Sequence, residues 1–324
     1  MSTHRETAEP RRYQGRVLPR QQDDLEDQGL AFDMATLLGR RQVLRVFGLG
    51  AGSLALAACG SQTSSETSTS SSATSSSASA TTSSSADSSL TASAEIPDET
   101  AGPYPGDGSN GPNVLTESGI VRQDIRSSFG TGSATAEGVP LTIELVISDL
   151  TAAGAMAGAA VYAWHCNREG EYSLYSSGLE NENYLRGVQV ADADGVVRFT
   201  SIFPGCYSGR WPHIHFEVYP DQDSITDSAN AIATSQVALP QDACETVYAT
   251  SGYEASVTNL SRITLATDNV FGNDSAALQL GQVTGDVDAG YTVTLPVGID
   301  TTTVPTAAAA PGGDGQPGGP PPGN

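Results

Sequence analysis

Pro204-Gly205-Cys206-Tyr207-Ser208-Gly209-Arg210-Trp211-Pro212-His213-Ile214-His215-Phe216 is the stretch on which the reading of this chain turns. It puts a tyrosine, an arginine and a His-x-His pair in one short span. The chain has four histidines, and two of them fall here. On a strand, residues two apart point to the same face. His213 and His215 then project together, with Glu217 following on that face. Ile214, Phe216 and Val218 point the other way, into a core. Imidazoles on one side of a strand and an apolar row on the other form a platform for a metal.

Working outward, Leu141, Ile143, Leu145 and Ile147 alternate with Thr142, Glu144 and Ser148, the pattern of a half-buried strand. Further strands are predicted at 159–166, 196–202, 213–219, 236–239 and 291–297. Asp194-Gly195 predicts a hairpin turn, and 242–250 one short helix. There is no long amphipathic helix and no alternation of strands with helices. The fold class that follows is all-β, a two-sheet β-sandwich.

The ends of the chain read differently. Up to about Leu38 the sequence is polar and has no apolar period. Arg40-Arg41 then precedes an apolar run through Ala58 to Cys59, the pattern of a twin-arginine export signal. The run is short for a membrane span. Leu56-Ala57-Ala58-Cys59 reads as a lipobox whose cysteine is acylated, against the plainer alternatives of a cleaved signal peptide or an uncleaved anchor. Ser, Thr and Ala fill the chain from Ser61 to about Ser93, a composition that cannot bury a core. The tail from about Thr301 is rich in Pro and Gly. The expected division is a leader over 1–59, a disordered linker over 60–93, one domain over 94–300 and a disordered tail over 301–324. The expected location is outside the cytoplasm, tethered to a membrane through Cys59.

The net charge of −22, with the basic residues concentrated toward the N-terminus, makes the folded part acidic and excludes nucleic acid as a partner. Of the four cysteines, lipidation of Cys59 leaves Cys166, Cys206 and Cys244. Cys206–Cys244 is the expected bridge in an oxidising compartment, although the sequence leaves the connectivity open.

Several fragments fall in a fixed order. Glu99-Thr100-Ala101-Gly102-Pro103-Tyr104 comes first, then Trp164-His165-Cys166 and Gly170-Glu171-Tyr172-Ser173. Asn183-Tyr184-Leu185-Arg186-Gly187, Ala193-Asp194-Gly195 and Val197-Arg198-Phe199 lead into Pro-Gly-x-Tyr, Arg and His-x-His. Each fragment alone is weak; the ordered set resembles the intradiol ring-cleavage dioxygenases of the protocatechuate 3,4- and catechol 1,2-dioxygenase type, over roughly the middle of the chain.

The resemblance implies the sandwich core of that family and an iron(III) ion held by Tyr172, Tyr207, His213 and His215. It implies an aromatic diol and dioxygen as substrates and a muconate-type diacid as product. Tyr207 matches the tyrosine that yields its place to the substrate and takes a proton; Tyr172 matches the one that stays. Arg210 matches the arginine that stabilises negative charge on the ring, and Gln236 the glutamine behind the ligands. Hard iron(III) suits phenolate oxygen, and its charge drives a tyrosine far below the usual pKa near 10. His165 has no ligand role and reads as structural.

Taken singly, each tyrosine, Arg210 and the histidine pair read as ordinary surface or strand-edge residues. Two other functions fit parts of the pattern. One is a non-catalytic binding lipoprotein on the same sandwich. The other is a zinc hydrolase using His213, His215 and Glu217. The span from Tyr207 to His213 is short, and no helical dimerisation region of the catechol type precedes the domain. The core is closer to the protocatechuate type, yet no residue is identifiable that would bind a substrate carboxylate.

Overall fold

The structure, a computed structural model, describes residues 91–306 and, apart from them, Arg12–Tyr13 and Arg16–Val17. Those last two are strands β1 and β2, paired antiparallel, and belong to a separate unit of the chain, Met1–Thr82. Arg40-Arg41, Cys59 with its lipobox, most of the Ser/Thr-rich stretch and the tail beyond 306 lie outside the described residues.

The second unit contains two sheets. One is built from β3 (Pro140–Asp149), β4 (Gly154–Ala155), β7 (Val196–Ile202), β10 (Gln282–Asp286) and β11 (Gly290–Ile299), in the order β10-β11-β3-β4 with β7 also paired to β3. The other is antiparallel, in the order β6-β5-β8-β9, from β5 (Ala160–Trp164), β6 (Arg186–Val190), β8 (His213–Tyr219) and β9 (Ala233–Ala238). Two short helices follow β9: α1 (Gln241–Tyr248) and α2 (Glu254–Leu260). No helix among the described residues is long and apolar enough to cross a membrane.

The core lies between the sheets. Leu141, Ile143, Leu145 and Ile147 of β3, Val197 and Phe199 of β7, and Val293, Leu295 and Val297 of β11 meet Val161 and Ala163 of β5 and Ile214, Phe216 and Val218 of β8. The two sheets differ in what covers their backs. β3 alternates buried and partly exposed positions along most of its length, as a sheet with one wet face does. β5, β8 and β9 are buried at every position. A second apolar cluster, including Tyr104, Val114, Leu115, Ile120, Tyr162, Trp164 and Tyr172, covers the outer face of the four-stranded sheet.

Two expectations need correcting. Asp194-Gly195 does form a turn, with Gly195 N–H donating to Asp192 O. It does not close a hairpin, because β6 pairs with β5 and β7 pairs with β3; the turn carries the chain from one sheet to the other. Cys206–Cys244 is not a bridge: Cys166, Cys206 and Cys244 are all free, buried thiols. Cys206 Sγ lies against Arg210 O at 3.5 Å, and Cys166 Sγ against Gly205 O at 3.4 Å. The segment is fastened from α2 instead, by Cys206 N to Ser256 Oγ at 2.8 Å and Asn259 Nδ2 to Cys206 O at 2.9 Å. Burial raises the Cys206 thiol to about 12, which keeps it from reacting as a thiolate.

Besides β1 and β2, four strands and α-helices have no counterpart among the expected elements: β4, β6, β10 and α2. β10 is polar and largely exposed, and α2 has only seven residues. The parallel pairing of β11 with β3 also has no local signature. Phe199, fully buried between the sheets, gives a direct test of the core. Phe199→Ala is expected to cost about 3–5 kcal/mol, read as a fall in the urea unfolding midpoint.

Candidate functional site

Strand register assembles the site on the outer face of the four-stranded sheet. Arg186 pairs with Trp164, Trp164 with His215, and His215 with Gln236. Directly opposed residues share a face, so one row crosses all four strands. His213 lies two residues before His215 on the same face.

His213 and His215 are both buried, with their Nε2 atoms 3.1 Å apart. His213 Nδ1 lies 2.5 Å from Trp211 O. A carbonyl only accepts, so Nδ1 carries the proton and Nε2 presents its lone pair. His215 stacks on Trp164 with centroids 4.9 Å apart and planes 6° apart. The ring also meets the lead-in segment: a Cβ on Gly102 would stand 3.2 Å from His215 Cε1. Burial, and next the Arg210 charge, push the His213 pKa well below its usual value. Burial, and next His213, do the same to His215. Both rings are therefore neutral, the state in which imidazole binds a metal.

The two tyrosines come from separate loops, Tyr207 against His213 and Tyr172 against Tyr207. Tyr207 Oη lies 3.2 Å from His213 Nε2. The Tyr172 and Tyr207 rings pack edge to face, with centroids 5.8 Å apart. Gly170 permits that approach: its φ is +88°, and a Cβ there would stand 3.0 Å from Tyr207 Cβ. Tyr172 Oη is buried and makes no hydrogen bond. The Tyr207 phenol is near enough to act on it electrostatically. Burial raises the Tyr172 phenol well above 10. It raises Tyr207 to about 12, with Arg210 pulling the other way.

Arg210 and Gln236 join them. Arg210 Nη2 donates to Gln236 Oε1 at 2.7 Å, and Gln236 Nε2 donates to Thr100 O at 2.9 Å. Arg210 Nη1 comes within 3.5 Å of His213 Nε2. Arg210 Nε binds Asp268 Oδ2 at 3.0 Å. The fully buried Asp268 carboxylate also accepts from Trp211 N at 2.7 Å, Val270 N at 2.8 Å and Phe271 N at 3.0 Å. All six residues named from the sequence, Tyr172, Tyr207, Arg210, His213, His215 and Gln236, thus lie in one cluster.

Glu217 and His165 do not join it. Glu217 accepts from Tyr219 Oη at 2.8 Å, and burial followed by the Asp107 carboxylate holds its own carboxyl well above the usual range. His165 binds Cys166 O and Ser201 Oγ, each at 2.7 Å. Among the described residues no group of three or more His, Cys, Asp or Glu side chains is placed to hold a metal. A zinc site of His213, His215 and Glu217 therefore lacks its third donor. The donor set present is two neutral imidazoles and two phenols, one of them an orphaned buried hydroxyl. That set fits a hard, highly charged cation, which ionises the phenols and takes the unpaired lone pairs.

Sequence reasoning missed Trp164, Arg186 and Asp268. Arg186 is fully buried and donates to Tyr104 O, Pro105 O, Ser173 O and Ser173 Oγ at 2.8–3.0 Å. It binds the lead-in segment to the residue after Tyr172. Trp164 and Arg186 stand in two fragments of the ordered set, Trp164-His165-Cys166 and Asn183-Tyr184-Leu185-Arg186-Gly187, without a role that the sequence assigns; Asp268 has no sequence signal.

Residues 110–222 match a protein-family model, Dioxygenase_C, described as dioxygenase. Among solved structures the chain is similar to the intradiol ring-cleavage dioxygenase of Tetranychus urticae, at 21% identity over 66% of this chain and 98% of that one, with a TM-score of 0.51. It is also similar to the dioxygenase domain of a dioxygenase–carbohydrate-binding fusion from Streptomyces sp. SirexAA-E, at 20% identity over 64% and 99%, with a TM-score of 0.40. No curated protein sequence matches the chain. The chain thus matches a dioxygenase family model over 110–222, and its fold is similar to that of an intradiol ring-cleavage dioxygenase.

Asp268→Ala would leave the Arg210 guanidinium without its counter-ion in a buried place and strand three backbone N–H groups. The expected loss is about 3–5 kcal/mol, measured as a drop in the thermal unfolding midpoint; Asp268→Asn, which keeps an acceptor, is expected to lose less.

Proposed function

We propose that this chain is an iron(III)-dependent intradiol dioxygenase that opens a catechol-type aromatic between its two hydroxyl-bearing carbons. Both atoms of dioxygen enter the product, a muconate-type diacid, so no external reductant is required. The observation that carries the reading is the Tyr172 hydroxyl, buried without a partner beside Tyr207 and two convergent, neutral imidazoles.

Tyr172, Tyr207, His213 and His215 would hold the ion. When bound, iron(III) supplies a Lewis-acidic centre that ionises phenols and catechol hydroxyls and keeps its ferric state on anionic oxygen. The remaining work belongs to the chain. Tyr207 is the phenol within reach of both His213 and Arg210, and its Oη is the acceptor for a catechol hydroxyl proton. Arg210, held by Asp268 and Gln236, offers Nη1 toward the same space and stabilises negative charge growing on the ring. Trp164 fixes the plane of His215 through stacking. The aromatic cover of Tyr104, Tyr172 and Tyr207 keeps the environment poor in water, which strengthens each of these electrostatic contacts.

Export and lipid attachment at Cys59 belong to the same proposal, on the strength of Arg40-Arg41 and Leu56-Ala57-Ala58-Cys59. Cys59→Ser is expected to abolish incorporation of radiolabelled palmitate; undiminished labelling would refute the anchor.

The iron-loaded chain is expected to show a broad visible tyrosinate-to-iron absorption that shifts when catechol is added without air and decays on aeration. Tyr172→Phe and His215→Ala should each reduce bound iron well below one per chain, read by elemental analysis. Arg210→Lys, which keeps the charge but loses the planar fork, should keep the iron and lower kcat about a hundredfold. A colourless protein that binds catechol without consuming oxygen would instead identify a binding protein.

A further inference from the structure

Arg186 uses every donor it has beside the cluster. It is fully buried at the start of β6. A guanidinium has five N–H groups, and here each has an acceptor. Nε donates to Ser173 Oγ at 3.0 Å. Nη1 donates to Pro105 O at 2.8 Å and to Tyr162 Oη at 3.1 Å. Nη2 donates to Tyr104 O and Ser173 O, both at 2.9 Å. All of these acceptors are neutral, and among the described residues no carboxylate pairs with Arg186. A cation buried without a counter-ion is costly, yet this one makes no hydrogen bond to either imidazole.

What the fork joins explains its place. Tyr172 sits in a turn closed on itself: its N donates to Ser176 Oγ at 2.8 Å, and Ser176 N donates to its O at 2.9 Å. The tip of the phenol has no hydrogen bond, so its position is set by ring packing and by whatever holds the turn. On the N-terminal side the turn is tied to Asn167, through Glu171 N to Asn167 Oδ1 and Asn167 N to Glu171 O, both at 2.8 Å. On the C-terminal side the tie is Ser173, held by Arg186 at both oxygens and donating to Tyr184 O at 2.7 Å. The same guanidinium holds the lead-in segment at Tyr104 O and Pro105 O. Gly106 follows with φ +67°, and a Cβ there would stand 3.0 Å from Arg186 Nη1, so the backbone passes directly against the guanidinium. The Tyr104 ring in turn lies on the Tyr172 ring, centroids 4.9 Å apart. One planar group thus fixes both the Tyr172 turn and the ring packed on it.

We propose that Arg186 is a positioning residue: through Ser173 and the lead-in segment it holds the Tyr172 phenol in place for the ion. The inference rests on the proposed iron site and adds to it a residue that touches neither ion nor substrate. A lysine ammonium has three donors on a flexible stem, and it cannot serve five acceptors spread over three segments.

The test compares the full chain with Arg186→Lys. In the iron-free chain, nitration of Tyr172 by tetranitromethane is followed by peptide mass spectrometry, with the buried Tyr248 and Tyr253 as references. Tyr172 is expected to react at least about tenfold faster in the variant, with the references unchanged. In the iron-loaded chain, the visible absorption should decay about tenfold faster in excess EDTA. With Tyr172→Phe already in place, Arg186→Lys should change neither the iron bound nor its rate of loss, because the guanidinium acts through that phenol. Equal nitration and equal iron retention in variant and parent would overturn the inference and leave the iron site standing. Faster nitration of all three tyrosines, or an equal loss of iron in the Tyr172→Phe background, would overturn it as a general loosening. A parent chain that takes up no iron, with Tyr172 nitration still raised selectively by Arg186→Lys, would keep the placement of Tyr172 by Arg186 and refute the iron site. Should Arg186→Lys not fold, Ser173→Ala, which removes the hydroxyl between Nε and Tyr184 O, is read in the same way, with about a fivefold rise in Tyr172 nitration expected.

Discussion

A strand buried on both faces must satisfy every polar atom it carries, and β8 carries His213, His215 and Glu217 on its outer face. Unmatched polar groups in such a place cost about 1–3 kcal/mol each. Around β8 the matching is extensive. Trp211 O fixes His213, Tyr219 takes Glu217, and Gln236 couples Arg210 to Thr100. Among the described side chains the exceptions are Tyr172 Oη, His215 Nδ1, Trp164 Nε1 and Gln279 Oε1; the first three belong to side chains at or against the cluster, and Gln279 donates through Nε2 to Gln236 O. A fold that satisfies its buried polar atoms almost everywhere and leaves a phenol unsatisfied near two facing imidazoles keeps polar atoms in hand for a ligand there.

The same burial explains what the sequence could and could not disclose. β3 has one wet face, so its alternation of Leu141, Ile143, Leu145 and Ile147 with polar residues was readable. β8 has none, yet His-x-His on one side of Ile214 and Phe216 still announced a strand with a chemical face. β9 was placed too late, at 236–239 instead of Ala233–Ala238, because Ala-Thr-Ser carries little β signal. The Asp194-Gly195 turn was recognisable as a turn but not as a crossing between sheets, since that depends on which strands pair. The six proposed site residues were named from their order along the chain. Arg186 and Asp268 were not: each acts by holding other groups, and such a role is written in the tertiary contacts of the carbonyls and N–H groups it meets, not in its neighbours in sequence.

Asp268 also ties electrostatics to shape. By accepting from Arg210, Trp211, Val270 and Phe271, one carboxylate fixes the guanidinium and folds the loop that covers it. A free cation in the cluster would attract anions indiscriminately in a protein otherwise strongly acidic. A neutralised one retains its directional N–H groups while losing its long-range pull.

The two phenols are not equivalent, and the difference comes from their surroundings. Tyr207 sits on the loop between β7 and β8, packed against His213 and pulled toward ionisation by Arg210. Tyr172 sits beneath Tyr104, with ring centroids 4.9 Å apart, and the residue after it is bound at both its carbonyl and its hydroxyl by Arg186. Leu174 and Leu185, on either side of that bond, both adopt φ above +50°, a strained conformation that persists only where the surroundings enforce it. Tyr172 is thus anchored through a buried guanidinium and a strained backbone, and the residue before Tyr207 is tied at both its N–H and its carbonyl by Ser256 and Asn259 of α2. Both phenols are therefore held through their neighbours in the chain, and what separates them is their surroundings: Tyr207 meets the His213 imidazole, whereas Tyr172 packs on Tyr104 and Tyr207.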